Sequence, residues 1–193
     1  MRGMLSRGLF ALGVVVAVAG GAIFMLEGGH AAASSSQPPP IVDTAPAAAM
    51  GKSGLALPRF VSLKAGRVNV RVGPGEDYKV AWVFTKSALP VEIIQEFDTW
   101  RRIRDSDGQM GWVFHSLLSG KRTAVVTPWG KGDPLPLRAR GRADAAVTAY
   151  LQPGVEAGVD RCTGGWCDLS GDGFSGWIEQ NQLWGVYPDE IVD

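Results

Sequence analysis

Asn69-Val70-Arg71-Val72-Gly73-Pro74-Gly75 is followed by Trp100-Arg101-Arg102-Ile103 and then by Gly111-Trp112-Val113. A degraded copy comes later: Leu135-Pro136-Leu137-Arg138, then Trp166-Cys167-Asp168-Leu169, then Gly176-Trp177-Ile178. Arg71 to Arg138 is an offset of 67 residues, Trp100 to Trp166 of 66, and Trp112 to Trp177 of 65. Three landmarks in one order, with so little drift, identify two copies of one small β unit.

Within the first copy, Val68, Val70 and Val72 alternate with Asn69 and Arg71, the pattern of a half-buried strand. Gly73-Pro74-Gly75 reads as a loop, because glycine reaches positive φ and proline holds its own. Tyr78, Val80, Trp82 and Phe84 alternate in a second strand. Leu89-Pro90 opens a third, from Val91 to Gln95, and Asp98-Thr99 turns into a fourth, Trp100 to Arg104. Asp105-Ser106-Asp107-Gly108 is a tight hairpin turn, and Gly111-Trp112-Val113-Phe114 is the fifth strand. Gly111 is expected to relieve crowding where strands bend, and Trp112 to lie in the core. Five short strands at this spacing make a small barrel or two packed sheets.

These motifs resemble a bacterial Src-homology-3-like (SH3-like) domain of the envelope-associated kind. Val70-Arg71-Val72-Gly73-Pro74, Trp100-Arg101-Arg102-Ile103, and Asp107-Gly108 leading into Gly111-Trp112-Val113 carry the resemblance, which spans the first copy end to end. Within that family the chain is similar to a tandem, exported group. The resemblance implies an all-β barrel that binds or positions and does no chemistry of its own. It also implies company: such relatives are often attached to wall-degrading enzymes or lie in the periplasm.

Candidate binding residues follow from strand parity. Ile103 should point inward, so Trp100 belongs on the opposite face unless a bulge resets the register. There, beside Arg102, it forms either a ligand shelf or a packing contact under a loop; Trp and Arg dominate binding hot spots. Tyr78 is a candidate for the same groove. In eukaryotic relatives of the fold such aromatics cradle proline-rich peptides, and the chain has its own Pro38-Pro39-Pro40.

In the second copy, Leu135 and Leu137 take the places of Val68 and Val70, and Gly141-Arg142-Ala143-Asp144 that of the proline loop. Val147 and Leu151 match Val80 and Phe84, and Val159 matches Ile93. Ser170 to Ser175 is the next hairpin. Leu183-Trp184-Gly185-Val186-Tyr187 finds no counterpart and is expected to pack as a C-terminal lid. The only two cysteines, Cys162 and Cys167, bracket the turn Thr163–Trp166. In an exported chain that spacing suggests a disulfide clip, with packed free thiols as the alternative. Two thiolates alone leave a metal site two ligands short.

Arg2 and Arg7 precede an apolar run from Leu9 to Leu26, and Ala31-Ala32-Ala33 offers small residues before Ser34. The set reads as a secretory signal or, with the short run retained, as a membrane anchor. Either places the remainder beyond the cytoplasm, periplasmic or secreted if cleaved, and tied to the inner membrane facing the periplasm if not. The expected organisation is therefore signal or anchor over 1–33, a disordered linker over 34–57, the first SH3-like domain over 58–123 and the second with its lid over 124–193.

The net charge of zero hides a split. Residues 58–123 carry 11 Lys and Arg against 7 Asp and Glu, or +4; residues 124–193 carry 5 against 10, or −5. Opposite fields favour docking of the two units, or reflect drift on two solvated surfaces. Neither is the concentrated basic face of a nucleic-acid binder.

Chemistry is set aside on composition. Asp168, Ser170, Asp172 and Glu179, with Gly173, match a calcium-loop spacing, but their flanks read as strands rather than helices. His30 would leave with a cleaved signal, and His115 has no nucleophile at a telling spacing. Asp105 and Asp107 sit in a turn that uses Asp for local hydrogen bonds. The expectation is a non-enzyme without metal or cofactor. Two classes remain open: an envelope adaptor that grips a peptidoglycan peptide or an envelope protein, or a purely structural pair of domains. A membrane-tethered spacer is a third, and it requires the N-terminal segment to persist.

Overall fold

The structure is a computed structural model that describes residues 49–193. The export segment, His30 and the proline run lie outside the described residues. Among the described residues no helix is long and apolar enough to cross a membrane.

A short hairpin, β1 (Ala49–Met50) with β2 (Ala56–Leu57), comes first. The first barrel follows: β3 (Arg59–Leu63), β4 (Val68–Arg71), β5 (Val80–Phe84), β6 (Pro90–Phe97), β7 (Trp100–Arg104), β8 (Met110–Phe114) and β9 (Leu118–Ser119). The second contains β10 (Thr123–Val126), β11 (Leu135–Arg138), β12 (Val147–Leu151), β13 (Glu156–Thr163), β14 (Trp166–Gly171), β15 (Phe174–Glu179) and β16 (Leu183–Trp184). The sheets run β5-β4-β8-β7-β6-β3-β9 and β12-β11-β15-β14-β13-β10-β16. The order is the same, each strand displaced by seven, so the duplication read from the sequence is a duplication of topology.

The irregularities repeat as well. Register shifts fall between Val70 and Arg71 and between Leu137 and Arg138, then between Ile93 and Gln95 and between Val159 and Arg161. Such bulges bend a strand and tighten its twist, which curls a short sheet on itself. Gly111 and Gly176 sit where the curl brings strands together. A Cβ on Gly111 would lie 2.4 Å from Val70, and one on Gly176 would lie 2.6 Å from the Arg138 carbonyl.

The expected alternation selects the cores. Val68, Val70, Ile93, Ile103 and Val113 fill the first; Leu137, Val159, Leu169 and Ile178 fill the second. Each such side chain removed from water stabilises by about 1.5–3 kcal/mol. One core assignment changes. Val113 is fully buried in β8, whereas Trp112 is half-buried on the other face, opposite Arg71 and Arg102.

Cys162 and Cys167 are paired across the β13–β14 hairpin and joined by a disulfide, with Cα atoms 4.1 Å apart. Gly164 and Gly165 both take positive φ in the two-residue turn between the strands, as the twist of a tight hairpin requires. The bond closes a loop worth about 2 kcal/mol of chain entropy. In the first barrel the same cross-strand position is occupied by Glu96 and Arg101, whose side chains pair at 3.3 Å.

That equivalence extends to the ends of the chain. Part of the expected disordered linker, 49–57, is structured, because Glu96 holds it. The Glu96 carboxylate accepts hydrogen bonds from the Ser53 amide (2.8 Å), the Ser53 hydroxyl (2.7 Å) and Arg59 (2.7 Å). In the second barrel Cys162 exchanges two backbone hydrogen bonds with Val192, at 2.9 and 3.2 Å. One hairpin position per barrel thus fastens one flanking segment.

Burial alone would raise the Glu96 carboxyl. The Ser53 and Arg59 hydrogen bonds and the nearby Arg101 prevail and hold it at about 2, against an ordinary 4.5. A carboxyl lowered on folding contributes stability above its unfolded pKa and loses it as pH falls through the folded one. The expected result is a stability plateau above about pH 5 that drops between about pH 4.5 and 2, with Glu96 responsible for on the order of 2 kcal/mol. Urea titrations across this range should show the drop shrinking in Glu96→Gln; an unchanged acid limb would remove Glu96 from the account.

The C-terminal segment corrects a second expectation. Leu183-Trp184 does have a counterpart: β16 pairs with β10 as β9 pairs with β3. Only from Gly185 is the chain new, and it is a strap between barrels. Trp184 donates its ring N–H to the Pro90 carbonyl (3.2 Å), and the Tyr187 hydroxyl donates to Glu92 (2.9 Å). Phe60 packs edge-on against Trp184 (5.0 Å) and at a tilt against Tyr187 (4.7 Å). Arg122 grips Glu190 with two hydrogen bonds, at 2.7 and 2.9 Å, and donates a third to the Gly185 carbonyl. The opposite fields contribute little here. Among the described residues Lys86–Glu156, at 2.8 Å, is the other ion pair between the two halves besides Arg122–Glu190; its lysine is largely exposed, and such exposed pairs are worth ~1 kcal/mol or less.

Candidate ligand groove

The Arg71–Trp112 pairing between β4 and β8 sets the site. On the outer face of this sheet Trp100 lies opposite Phe114, and the two rings meet edge to face at 5.6 Å. Parity therefore holds: Trp100 points away from the Ile103 core. The contact with Phe114 leaves it only 9% exposed. Arg67, Asn69, Arg71 and Glu76 stand around this aromatic floor and enclose, with Ser116 and Leu117, a groove of about 280 Å³.

Arg71 is held in place. Its guanidinium donates to the Tyr78 carbonyl at 2.6 Å, which also closes the loop that begins at Gly73. Gly73 and Gly75 keep negative φ, contrary to the turn argument. They are needed for a different reason. The Tyr78 ring lies across them, and a Cβ on Gly73 would come within 2.3 Å of it. Tyr78 is thus a half-exposed cap on the loop beside the groove. Arg102 shares the outer face with Trp100 but stands opposite Trp112, next to the groove rather than in its lining. Of the three candidates, Trp100 alone lines the cavity. Arg67, Asn69 and Arg71 were passed over because each, taken singly, is an ordinary solvent-facing residue of a strand or its lead-in.

The second barrel carries the equivalent groove, formed by Leu135, Pro136, Arg138, Trp166, Glu179 and Gln182 with Ile178, at about 100 Å³. Arg138 repeats the clip of Arg71: it donates to the Ala145 carbonyl, again seven residues on, at 2.8 Å. Glu179 replaces the aromatic partner Phe114, and Pro136 replaces Asn69.

The residues considered for chemistry are engaged elsewhere. Asp105 accepts the amide N–H groups of Asp107 (3.0 Å) and Gln109 (2.8 Å) within its turn, and burial pushes its carboxyl above the ordinary range. His115 is exposed and leans on Phe114 at 5.0 Å. The cysteines are oxidised together, so no thiol faces His115. Residues 168–179 form the β14–β15 hairpin.

Two small barrels of one topology, each with an arginine-clipped aromatic groove, define a tandem all-β domain pair. The bacterial SH3 domain family matches it twice, over residues 64–120 and 131–185. The chain belongs to that family. It is similar to the "Putative N-acetylmuramoyl-L-alanine amidase YrvJ" of Bacillus subtilis (strain 168), with 25% identity over 123 residues, 60% of this chain and 24% of that protein. The chain thus spans about a quarter of that relative's length. Among solved structures, NlpC2 from Trichomonas vaginalis matches over 65% of this chain and 47% of its own, at 11% identity and a TM-score of 0.32. NlpC1 from the same organism matches over 70% and 48%, at 10% identity and a TM-score of 0.29. Likeness at that level carries no functional argument.

Proposed function

We propose that this protein is a non-catalytic, exported adaptor of the bacterial envelope that binds peptidoglycan peptide through the groove of its first barrel. The observation that carries the reading is the groove itself: an aromatic floor of Trp100 and Phe114 beside an immobilised arginine. Aromatic and arginine side chains in one concave patch are the composition of binding hot spots. Tyr78 and Arg102 stand at its margins and extend the contact surface. The relation to an amidase by name supports a wall ligand over a soluble one, and membership of a binding family supports the absence of catalysis.

Retention of the full-length protein on isolated sacculi tests the reading: the protein should sediment with them, and a protein that stays in solution refutes it. The alternative, a structural pair without ligand, is favoured by one observation, the burial of Trp100. Because of that burial, Trp100→Ala is expected to cost about 3 kcal/mol of stability whether or not a ligand exists. Loss of binding in that variant would not separate the two readings. The exposed groove residues can.

A further inference from the structure

We propose that the first barrel's groove recognises a carboxylate of its peptide ligand through Arg71 and Arg67, and that the second barrel's groove does not. The inference rests on the binding role proposed above and specifies its chemistry. Among the described residues, neither Arg67 nor Arg71 forms an ion pair. Elsewhere Arg59 and Arg101 pair with Glu96, and Arg122 with Glu190, whereas the half-buried Arg102 and Arg138, like Arg71, form no ion pair among the described residues. Arginine presents five N–H donors in a planar fork suited to a carboxylate. At Arg71 one of its nitrogens is already bonded to the Tyr78 carbonyl, which fixes the plane of the fork and leaves the remaining donors unpaired by protein. Part of the ordering cost of binding is thereby met before the ligand arrives.

The groove's other polar groups are compatible with this ligand. Asn69 and Ser116 accept or donate, and Glu76, the single acid in the lining, leaves the groove at a net charge of +1. Glu76 also suits a peptide N–H or ammonium group near the recognised carboxylate. The second groove differs at each of these points. Arg138 shares the lining with Glu179, so the net charge there is zero; Glu179 and Pro136 stand where Phe114 and Asn69 do, with Gln182 the remaining amide; and the volume is about a third of the first.

The test compares sacculi before and after their carboxylates are converted to amides with a carbodiimide and ammonia, using the full-length protein. Native sacculi should retain it, and amidated sacculi should retain it about tenfold less or worse, the scale of one lost charge-assisted hydrogen bond. Arg67→Gln should reproduce that loss on native sacculi and add little to it on amidated ones. Arg67 is exposed, and among the described residues its side chain has no ion-pair partner, so this variant reports binding even if Arg71→Gln loosens its loop. Arg138→Gln should bind like the parent. Equal retention on native and amidated sacculi overturns the carboxylate inference and leaves the binding role standing. No retention on either overturns both. A loss in Arg138→Gln matching that of Arg67→Gln overturns the asymmetry between grooves.

Discussion

Gly185→Ala is expected to lower the unfolding free energy by about 3 kcal/mol or more, and to make the two barrels unfold separately. Gly185 has φ of +123°, in a region that side-chain-bearing residues rarely enter. An added Cβ would also sit 2.2 Å from the Thr123 carbonyl oxygen and 2.9 Å from the Ala124 Cα, both backbone atoms of β10, and 3.2 Å from Pro90 of the first barrel. Backbone cannot swing aside as a flexible side chain can. The strap must therefore lift, and with it go the Trp184 and Tyr187 contacts on Phe60 that join the barrels. Calorimetry of the parent should give one cooperative transition and of the variant two. A single transition at an unchanged midpoint would show that the strap does not couple the barrels.

Glu92→Ala is the second large effect expected, a loss of about 3 kcal/mol. Glu92 is 2% exposed in β6, yet charged groups are seldom buried without partners. It has two: Arg104 donates at 2.7 Å, and the Tyr187 hydroxyl donates at 2.9 Å. Burial first, and then the negative Glu92, hold the Tyr187 phenol well above its ordinary pKa, so it remains a donor at any working pH. Removing one member of a buried pair costs ~3–5 kcal/mol, since the other is left uncompensated. The lower end applies because Arg104 is half-exposed and can return to water. Tyr187→Phe should cost less, about 1 kcal/mol, since only the neutral donor is lost. Combining Glu92→Ala with Tyr187→Phe should cost less than the sum, as shared partners require. Additivity in urea denaturation would show that the two do not meet in solution.

Both effects fall on the junction, and the junction is where sequence reading was weakest. Of the strands missed from sequence, β1, β2 and β9 are only two residues long, while β3 and β10 have nearly every residue buried. Alternation marks a strand with one wet face; these two have partners on both, so the signal vanishes. Ser62, for instance, is buried because its hydroxyl donates to the Lys121 carbonyl between the barrels. The assignment of Trp112 failed for a related reason. Size and aromaticity suggested core, but its neighbour Val113 holds that parity, and Trp112 covers the outer face between two arginines. The glycines of the 73–75 loop are required for a reason other than φ: the ring of Tyr78, a few residues further along the chain, lies across them.

Local chemistry alone determined the repeat, the five central strands of each barrel, the two-residue turns and the cysteine clip. Each depends on residues close in sequence or on a period of two along one strand. Tertiary structure decided which faces are wet, how the C-terminal strap locks one barrel to the other, and that Arg67, Asn69 and Arg71 converge on Trp100. Those depend on strands that approach one another only after the sheet has curled, and no spacing along the chain encodes that approach.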